Sequence, residues 1–385
     1  MKVRKPSGGG PRRLHLWFPN IFEFKGGIQV YSLFLLAALQ GILPERRYRV
    51  FLKHDRAAPP TPTILPQTRF HCSGRVPLRW RTAAFAAQIA AWGALQRPEL
   101  IISSHVHFAV VAAQLQRWLG IPYWVVAHGV EVWQLRRPDL QNALRRADRI
   151  LAVSGYTRDR LLAEQDLDPQ RVVILPNTFA AECFRPGPKP LHLLNRHQLR
   201  PEQPTLLTVT RLDASQPYKG YDQILQALPT IRQQFPDVHY LIVGKGSDRP
   251  RLEGLIQALD LSDCVTLVGF VPDDELPDYY NLGDVFAMPS RGEGFGIVYL
   301  EALACGKPVL GGNQDGALDA LCHGELGALV DPGDVGAIAQ TLITLLQGTY
   351  PHPLLYQPAQ LRAKVIEAYG LARFTRTLAR LLAVP

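Results

Sequence analysis

The chain has 385 residues, more than one hydrophobic core usually supports, so we expect two domains. Apolar residues make up 47% and charged residues 19%, as in ordinary α/β proteins, and no apolar run approaches the roughly 20 residues of a membrane span. The basic N-terminal stretch lacks the apolar run of a signal peptide, and the five scattered cysteines include no Cys-x-x-Cys pair. We therefore expect a cytoplasmic protein with reduced thiols, at most peripheral to a membrane.

The net charge of +9 is unevenly distributed along the chain. Residues 1–185 contain 26 Lys and Arg against 12 Asp and Glu, whereas the remainder has 16 against 21. This asymmetry indicates that the first half meets an anionic partner. We find no nucleic-acid recognition motif and expect no nucleic acid, so an anionic membrane surface or a phosphate-bearing acceptor fits better. A generally basic surface is the alternative.

Short apolar runs alternate with amphipathic stretches in the first half. Helical stretches are predicted at 28–40 and 109–120. The strand-like runs are 14–18, 49–53, 100–104, 123–129, 149–154 and 172–177. Near-continuous apolar strands separated by helices are typical of a parallel sheet that is covered on both faces.

A proline-rich stretch at 176–190 interrupts this pattern and is the best candidate for a linker. The alternation then restarts, and a basic amphipathic stretch at 361–383 predicts one or two final helices. The second set of strand-like runs is 205–212, 239–246, 264–270, 284–290, 307–312 and 327–331. The chain is thus predicted to form two doubly wound sheets in tandem, with ligands beyond the carboxyl ends of the strands.

The segment 284–316 carries the richest motif. A strand ends near Ser290, and a glycine-rich loop leads into a helix that contains Glu301. Glycines let the backbone approach a ligand closely, and the first N–H groups of a helix attract an anion. Glu293 lies in the loop, and each carboxylate can accept two hydroxyl protons of a ribose or hexose diol. A plain strand, turn and helix with surface glutamates is the alternative.

Two cations follow the first strand of the second half. Arg211 ends this strand and Lys219 precedes a helix, so both are expected at the carboxyl edge of the sheet. A guanidinium binds a diphosphate through parallel hydrogen bonds, and an ammonium adds a second positive charge.

Histidines and glycines mark the strand ends of the first half. His128 comes directly after an apolar strand, which favours a function over a structural role. His105 and His107 also follow a strand, but no third metal ligand is evident. Gly26 and Gly27 precede a long helix, where they can admit a phosphate or a sugar.

A metal site of the Asp-x-Asp type is not expected. The only such triplet, Asp166-Leu167-Asp168, lies in a polar stretch that is better explained as a turn. We therefore predict no essential metal and no cofactor other than a nucleotide-sugar co-substrate.

Together these motifs resemble the family 4 glycosyltransferases, which retain the anomeric configuration and have the GT-B fold. The resemblance covers nearly the whole chain, and it implies two Rossmann-like domains that face a central cleft, with a C-terminal helix that crosses back to the first. Residues 1–184 with about 365–385 would bind a glycan, lipid-linked or small-molecule acceptor, and 185–364 would bind the nucleotide-sugar donor. The segment 53–80 matches no part of the family pattern and is expected to form a loop on the acceptor side.

The resemblance also implies a role for each matching residue. Arg211 and Lys219 would hold the donor diphosphate, Glu301 the ribose and Glu293 the transferred hexose. His128 would contact this sugar near the reacting carbon, and Gly26 and Gly27 would approach the phosphate and the acceptor. The backbone amides that would assist at the diphosphate belong to the helix start, at Gly294, Phe295, Gly296 and Ile297. Lys245 departs from the family pattern, because many relatives have an acidic residue at this turn.

These residue types suit the transfer of a hexose from a UDP- or GDP-sugar. Fixed cations and helix amides stabilise the departing diphosphate without a metal, so we assign no side chain as a general base. Two other hypotheses remain open: a non-catalytic subunit that binds a nucleotide-sugar, and an epimerase or phosphorylase on the same fold.

Overall fold

A computed structural model describes residues 12–23, 26–58 and 67–383. Internal contacts divide the chain into two compact units. The first unit comprises the chain up to Thr178 together with the segment from Leu371, and the second unit is Phe179–Gly370. The division after Thr178 falls within the proline-rich stretch that the sequence predicts as a linker.

The first unit is built on a parallel sheet of seven strands. They are β1 (Arg13–Phe18), β2 (Arg47–Leu52), β3 (Thr68–Cys72), β4 (Leu100–Ser103), β5 (Tyr123–Ala127), β6 (Arg149–Ala152) and β7 (Val172–Ile174). Their spatial order is β3-β2-β1-β4-β5-β6-β7, and β1 pairs with β2 from Arg13 opposite Arg47 to Phe18 opposite Leu52. Every residue of β5 is buried, as expected for a central strand that is covered on both faces.

Within the described residues, five helices follow strands of this sheet in the chain. They are α1 (Gly27–Ile42), α2 (Leu78–Gln96), α3 (Val106–Leu119), α4 (Pro138–Arg146) and α5 (Gly155–Glu164). The core of this unit lies between the sheet and its helices, where Trp17, Phe85, Phe108 and Tyr123 form part of one buried apolar cluster.

The segment 53–80 was expected to form a loop, and this expectation was wrong for part of it. Thr68–Cys72 is the edge strand β3, and Leu78 begins α2. An edge strand has one unpaired side and is partly exposed, so its sequence TRFHC lacks the apolar run by which the other strands were predicted. Residues 59–66 of this segment lie outside the described residues.

The second unit is built on a parallel sheet of six strands. They are β8 (Thr205–Val209), β9 (His239–Val243), β10 (Val265–Gly269), β11 (Val285–Met288), β12 (Val309–Gly312) and β13 (Ala328–Val330), in the spatial order β10-β9-β8-β11-β12-β13. Its helices are α6 (Leu191–His197), α7 (Tyr221–Arg232), α8 (Arg249–Ala258), α9 (Leu276–Leu282), α10 (Ile297–Ala304), α11 (Ala317–Ala320), α12 (Val335–Gln347) and α13 (Pro358–Tyr369). Short 3-10 turns span Pro217–Lys219, Cys322–Gly324 and Pro353–Tyr356.

The C-terminal stretch forms two helices that are separated at Gly370. The first is α13, and the second, α14 (Leu371–Ala383), belongs to the first unit. Its buried Phe374 lies edge-on against Tyr31 of α1, with ring centroids 5.6 Å apart. The final helix therefore returns to the first unit. None of the helices in the described ranges combines the length and apolarity needed to cross a bilayer.

The two sheets share one topological feature that positions ligands. The strand order reverses between β1 and β4 in the first sheet and between β8 and β11 in the second. The connections that leave these neighbouring strands run to opposite sides of the sheet, which opens a crevice at their carboxyl ends. Residues directly after these four strands are therefore well placed to bind a ligand.

Candidate functional site

In the second unit, the loops after β8 and β11 bring a lysine and a glutamate together. Lys219 lies in the 3-10 turn after β8, and its Nζ donates a hydrogen bond to the carboxylate of Glu293 in the loop after β11. The two side chains are only 11% and 14% exposed. The ammonium also lies 5.0 Å from the ring centroid of Tyr218. The structure therefore forms a largely buried ion pair from two residues that the sequence places 74 positions apart.

Gly220 holds these two loops at close range. Its φ of +86° lies in the left-handed region, and a Cβ at this position would be 2.4 Å from the carbonyl oxygen of Pro289. Only glycine fits such an approach without moving the backbone. The Lys219–Glu293 pair thus depends on a glycine that directly follows the lysine.

Arg211 lies in the loop after β8, and its side chain is exposed. Its Nη2 is 3.4 Å from Oε1 of Gln216, and the hydroxyl of Tyr218 is 3.2 Å from the same oxygen. Among the described residues, this neutral amide is the hydrogen-bond partner of the guanidinium. In the described part of the chain, Arg211 therefore donates no hydrogen bond to a carboxylate, although Asp213 lies close enough to attract it, and its remaining donors can bind an anion.

A buried aspartate fixes the backbone of the loop that carries Glu293. Oδ2 of Asp315 accepts hydrogen bonds from the Glu293 N–H and the Ser290 hydroxyl, each at 2.7 Å, and Oδ1 accepts one from the Ala317 N–H at 2.9 Å. Burial raises the pKa of Asp315 to about 6, although these hydrogen bonds oppose the increase. Asp315 therefore orients Glu293 through its main chain.

The loop continues into α10, whose first N–H groups have no acceptor within the helix. Gly294 and Gly296 precede the helix, Gly296 has a φ of +91°, and Ile297 is the first helical residue. The side chain of Phe295 is buried and lies edge-on against Tyr369, with centroids 5.3 Å apart. Phe295 can therefore contact a ligand through its backbone only.

Glu301 lies in the middle of α10 and has a different environment from Glu293. Its Oε2 accepts a hydrogen bond from the hydroxyl of buried Tyr280 at 2.6 Å. Burial raises the pKa of Glu301 to about 7, and the bond from Tyr280 opposes the increase. The two glutamates thus differ: one is paired with a cation, and the other is desolvated beside a neutral phenol.

In the first unit, His128 follows β5 and is held in a neutral form. Its ring lies edge-on against Tyr31, with centroids 5.0 Å apart, and Nε2 is buried with no hydrogen-bond partner among the described residues. Burial lowers the pKa of His128 to about 3, with a smaller contribution from His105. The backbone N–H of His128 donates to Oε1 of Glu131 at 2.6 Å. At neutral pH the imidazole is therefore uncharged, with one nitrogen unsatisfied.

Gly26 and Gly27 lie where the sequence predicts, at the start of α1. The carbonyl of Gly26 accepts the N–H groups of Gln29 and Val30, each at 3.1 Å, and Gly27 is the first helical residue. His105 caps α3 by accepting the N–H of His107 on Nδ1 at 3.3 Å. His105 therefore has a structural role at the start of α3.

The structure brings Arg211, Lys219 and Glu293 into one loop pair and places α10 directly after it. Sequence reasoning missed the residues that hold this arrangement, namely Gln216, Tyr218, Asp315 and, beside His128, Glu131. Gln216 and Tyr218 lie between Arg211 and Lys219, and Glu131 lies three residues after His128, so proximity to a motif residue was the available signal for these three; Asp315 is 22 residues from Glu293 and had no such signal. Within the described ranges, no cluster of three or more His, Cys, Asp or Glu side chains could hold a metal ion.

Two protein-family models match the chain. Residues 25–182 match the model described as Glycosyltransferase Family 4, and residues 193–367 match the model described as Glycosyl transferases group 1. The first match covers most of the first unit, and the second covers most of the second unit. Between them they contain every candidate residue named above.

Curated relatives align with part of the chain. A GDP-mannose-dependent alpha-(1-6)-phosphatidylinositol monomannoside mannosyltransferase of Mycobacterium tuberculosis is 36% identical over 230 residues, which are 57% of this chain and 59% of the relative. A D-inositol 3-phosphate glycosyltransferase of Thermobispora bispora is 30% identical over 253 residues, or 60% of this chain and 58% of the relative. The alignments thus span less than two thirds of these relatives.

Solved structures match almost the whole chain in fold. HepE of Anabaena, solved with UDP and glucose, has a TM-score of 0.78 at 19% identity and covers 97% of this chain and 100% of its own. Sucrose-phosphate synthase of Thermosynechococcus elongatus has a TM-score of 0.77 at 23% identity, with 96% and 98% covered. These likenesses confirm the expected GT-B fold of two Rossmann-like domains. On the two family models and this fold, the chain belongs to family 4 of the glycosyltransferases.

Proposed function

We propose that this protein is a retaining, metal-independent hexosyltransferase that uses a UDP- or GDP-hexose as donor. The observation that carries the proposal is the buried Lys219–Glu293 pair beside the exposed guanidinium of Arg211, at the switch point of the second sheet. The names of the relatives, which include a GDP-mannose-dependent enzyme, support a nucleotide-sugar donor.

The donor diphosphate lies between Arg211, Lys219 and the start of α10 in this proposal. Arg211 has only a neutral hydrogen-bond partner among the described residues, so an anion does not have to displace a carboxylate from it. The first amides of α10 add donors and the positive end of the helix dipole. As the sugar–phosphate bond breaks, negative charge grows on the diphosphate, and these fixed groups stabilise it.

The two glutamates bind the two sugars of the donor. Glu293 is oriented by Asp315 through its backbone and accepts hydroxyl protons of the hexose. Glu301 accepts hydrogen bonds from the ribose hydroxyls. Tyr280 donates to Oε2 of Glu301, so Oε1 is the oxygen that would accept them. A bound diol that donates to Glu301 favours the ionised carboxylate over the protonated form.

His128 acts as a neutral contact to the transferred hexose. Because burial lowers the pKa of its imidazole to about 3, the ring does not add a positive charge near a carbon that itself becomes positive. Its unsatisfied Nε2 supplies the hydrogen-bonding atom. Retention would follow from attack on the face that the phosphate leaves, with a phosphate oxygen accepting the proton of the acceptor hydroxyl.

A donor panel tests the proposal. The purified chain is incubated with UDP-glucose, UDP-galactose, UDP-N-acetylglucosamine and GDP-mannose, with chelator present, and nucleoside diphosphate release is measured with and without acceptors. We expect at least one donor to bind and to be hydrolysed slowly. Binding of a donor with no hydrolysis and no transfer would favour the non-catalytic subunit, and conversion of the hexose without release of diphosphate would favour an epimerase.

We also propose that the basic first unit contacts an anionic membrane surface when the acceptor is lipid-linked. The excess of Lys and Arg in residues 1–185 supports this idea. Sedimentation with anionic vesicles should weaken as salt rises, because exposed charges are screened beyond about 10 Å at 0.1 M salt. Equal recovery with neutral and anionic vesicles would exclude it.

A further inference from the structure

A polar cavity of about 300 Å³ in the first unit lies at the carboxyl edge of the sheet, beside β1, β2 and β3. Asn20 and Gln29 line the side next to α1, and the amide of Gln29 donates to Oδ1 of Asn20 at 2.7 Å. Gln29 lies in the first turn of α1, directly after Gly26 and Gly27. The cavity therefore adjoins the glycine pair at which an acceptor is expected.

The opposite wall consists of two loops that are held together closely. Gly74 after β3 donates its N–H to the carbonyl of Asp55 after β2 at 2.9 Å, and a Cβ on Gly74 would lie 2.2 Å from the carbonyl oxygen of His54. The buried carboxylate of Asp55 in turn accepts the N–H groups of Ile21 at 2.6 Å and Glu23 at 2.8 Å. One aspartate and one glycine thus join the loops after three neighbouring strands into a preformed wall.

Arg81 presents a fixed cation to this cavity. Its Nη2 donates to the carbonyl of Gly74 at 2.7 Å and its Nε to the carbonyl of Val76 at 3.0 Å, while Nη1 lies 3.5 Å from Nδ1 of His54. Burial lowers the pKa of His54, and nearby Lys53 and Arg81 lower it further, so this imidazole is neutral at neutral pH. All hydrogen-bond partners of Arg81 in the described ranges are therefore uncharged.

Other charges in the wall do not neutralise Arg81. The carboxylate of Glu23 accepts the backbone N–H of Arg56 at 2.5 Å, and the carboxylate of Asp55 is directed to backbone amides. Burial and then repulsion from Arg81 lower the pKa of Lys53. A bound anion would offset the repulsion between Lys53 and Arg81, because a nearby negative charge favours the protonated form of the Lys53 amine.

Building on the proposed hexosyltransferase function, we propose that this cavity binds a phosphate group of the acceptor, with Arg81 and Arg56 as its cationic ligands. The phosphate accepts hydrogen bonds from Nη1 of Arg81 and from the exposed guanidinium of Arg56. The amides of Asn20 and Gln29 face the neighbouring hydroxyl groups of the acceptor. The acceptor is thus a phosphate-bearing polyol or sugar, either soluble or as the headgroup of a lipid.

Titration calorimetry in the presence of saturating UDP and GDP tests the assignment, since the nucleotides occupy the phosphate-binding groups of the second unit. The probes are inorganic phosphate and glycerol 3-phosphate, with glycerol as the neutral control. A lipid arm uses dihexanoyl phosphatidylinositol, with dihexanoyl phosphatidylcholine as its control, both below their micelle concentrations. We expect an anionic probe from at least one arm to bind more tightly than its control, and the arm that binds identifies the source of the phosphate.

Substitutions of the two arginines test whether the anionic probe binds in this cavity. Arg81→Gln and Arg56→Gln should each weaken binding of the anionic probe about tenfold or more, as expected when a charge-assisted contact is lost. Arg117→Gln is the matched control, because Arg117 is exposed near the C-terminal end of α3, at the opposite edge of the sheet. Thermal unfolding identifies any variant that loses its fold. Because the guanidinium of Arg56 is exposed, Arg56→Gln should stay folded and keeps the test valid if Arg81→Gln unfolds.

Equal binding of anionic probe and neutral control, or equal affinity in the wild-type chain and both variants, would overturn the assignment. Nucleotide binding is measured in the same experiments and tests the donor site separately. Loss of anion binding with intact nucleotide binding in Arg81→Gln supports the cavity. Failure of the wild-type chain to bind any nucleotide would instead refute the donor site.

Discussion

Replacing Glu293 by Gln separates the stabilising role of the Lys219–Glu293 pair from its proposed role in binding. The substitution keeps the size of the side chain but leaves Lys219, whose side chain is 11% exposed, without its counter-charge. Removing one partner of a buried pair costs about 3 to 5 kcal/mol, and the slight exposure here favours the lower end. For a unit of this size, about 3 kcal/mol lowers the melting temperature by roughly 6 to 12 °C.

Nucleoside diphosphate should reverse this loss. In the wild-type chain the diphosphate competes with Glu293 for Lys219, whereas in Glu293→Gln it meets an unpaired ammonium. We therefore expect UDP or GDP to bind the variant at least as tightly as the wild-type chain, and up to about tenfold more tightly if about 1.4 kcal/mol of the lost pairing is recovered. Hexose turnover should nevertheless fall by about 100-fold or more, because the sugar contact is lost.

The assay combines differential scanning fluorimetry, nucleotide calorimetry and turnover on the same preparations. Glu253→Gln is the matched control, because the Arg249–Glu253 pair on α8 is 43% and 49% exposed and should contribute about 0.5 kcal/mol or less. If Glu293→Gln melts like Glu253→Gln, the pair is not buried as described. If UDP and GDP both bind Glu293→Gln much more weakly than the wild-type chain, Lys219 does not hold the diphosphate.

Three further predictions concern single side chains. Burial raises the pKa of Glu301 to about 7, and a bound ribose favours its ionised form, so nucleotide-sugar binding near pH 7 should release protons. Calorimetry in buffers of different ionisation enthalpy measures this proton release, and Glu301→Gln should abolish it. Burial raises the pKa of Asp315 from 3.8 to about 6, so the folded state keeps a proton that the unfolded chain loses, and the contribution of Asp315 to the unfolding free energy should fall by about 3 kcal/mol as pH rises from about 4 to 6. The difference in unfolding free energy between the wild-type chain and Asp315→Asn, measured by urea unfolding, should change by this amount over the same pH range; a difference that does not vary with pH would refute the role of Asp315. His128→Ala should lower donor hydrolysis at least tenfold without changing UDP or GDP affinity, and unchanged hydrolysis would remove His128 from the site.

The fold was well predicted wherever a run of apolar residues marked a buried strand. The buried central strands β1, β4 and β5 are mainly apolar, and each was predicted within a few residues of its observed bounds. Edge strand β3 was missed because none of its residues is fully buried and its short sequence includes Arg69 and His71. The position of the break between α13 and α14 could not be predicted either. It lies at Gly370, whose backbone is extended (φ −63°, ψ 157°), and the amphipathic pattern does not reveal this conformation.

The site was predictable only in part, because motif spacing shows which residues follow a strand but not which residues touch. Arg211, Lys219 and Glu293 were each expected at the carboxyl edge, yet the direct pairing of Lys219 with Glu293 depends on how two loops meet. The role of Asp315 depends on a hydrogen bond to a backbone amide 22 residues away in sequence. Such contacts are set by tertiary packing, and no local pattern encodes them.

The central claim is that the second unit activates a nucleotide-sugar through Arg211. The most direct measurement is the rate of nucleoside diphosphate release from the donor panel, by liquid chromatography with mass detection, for the wild-type chain, Arg211→Ala and the half-exposed control Arg249→Ala. We expect release from at least one donor by the wild-type chain, a loss of about 100-fold or more in Arg211→Ala, and little change in Arg249→Ala. Release that is equally fast in Arg211→Ala, or absent with every donor and acceptor, would contradict this role of Arg211.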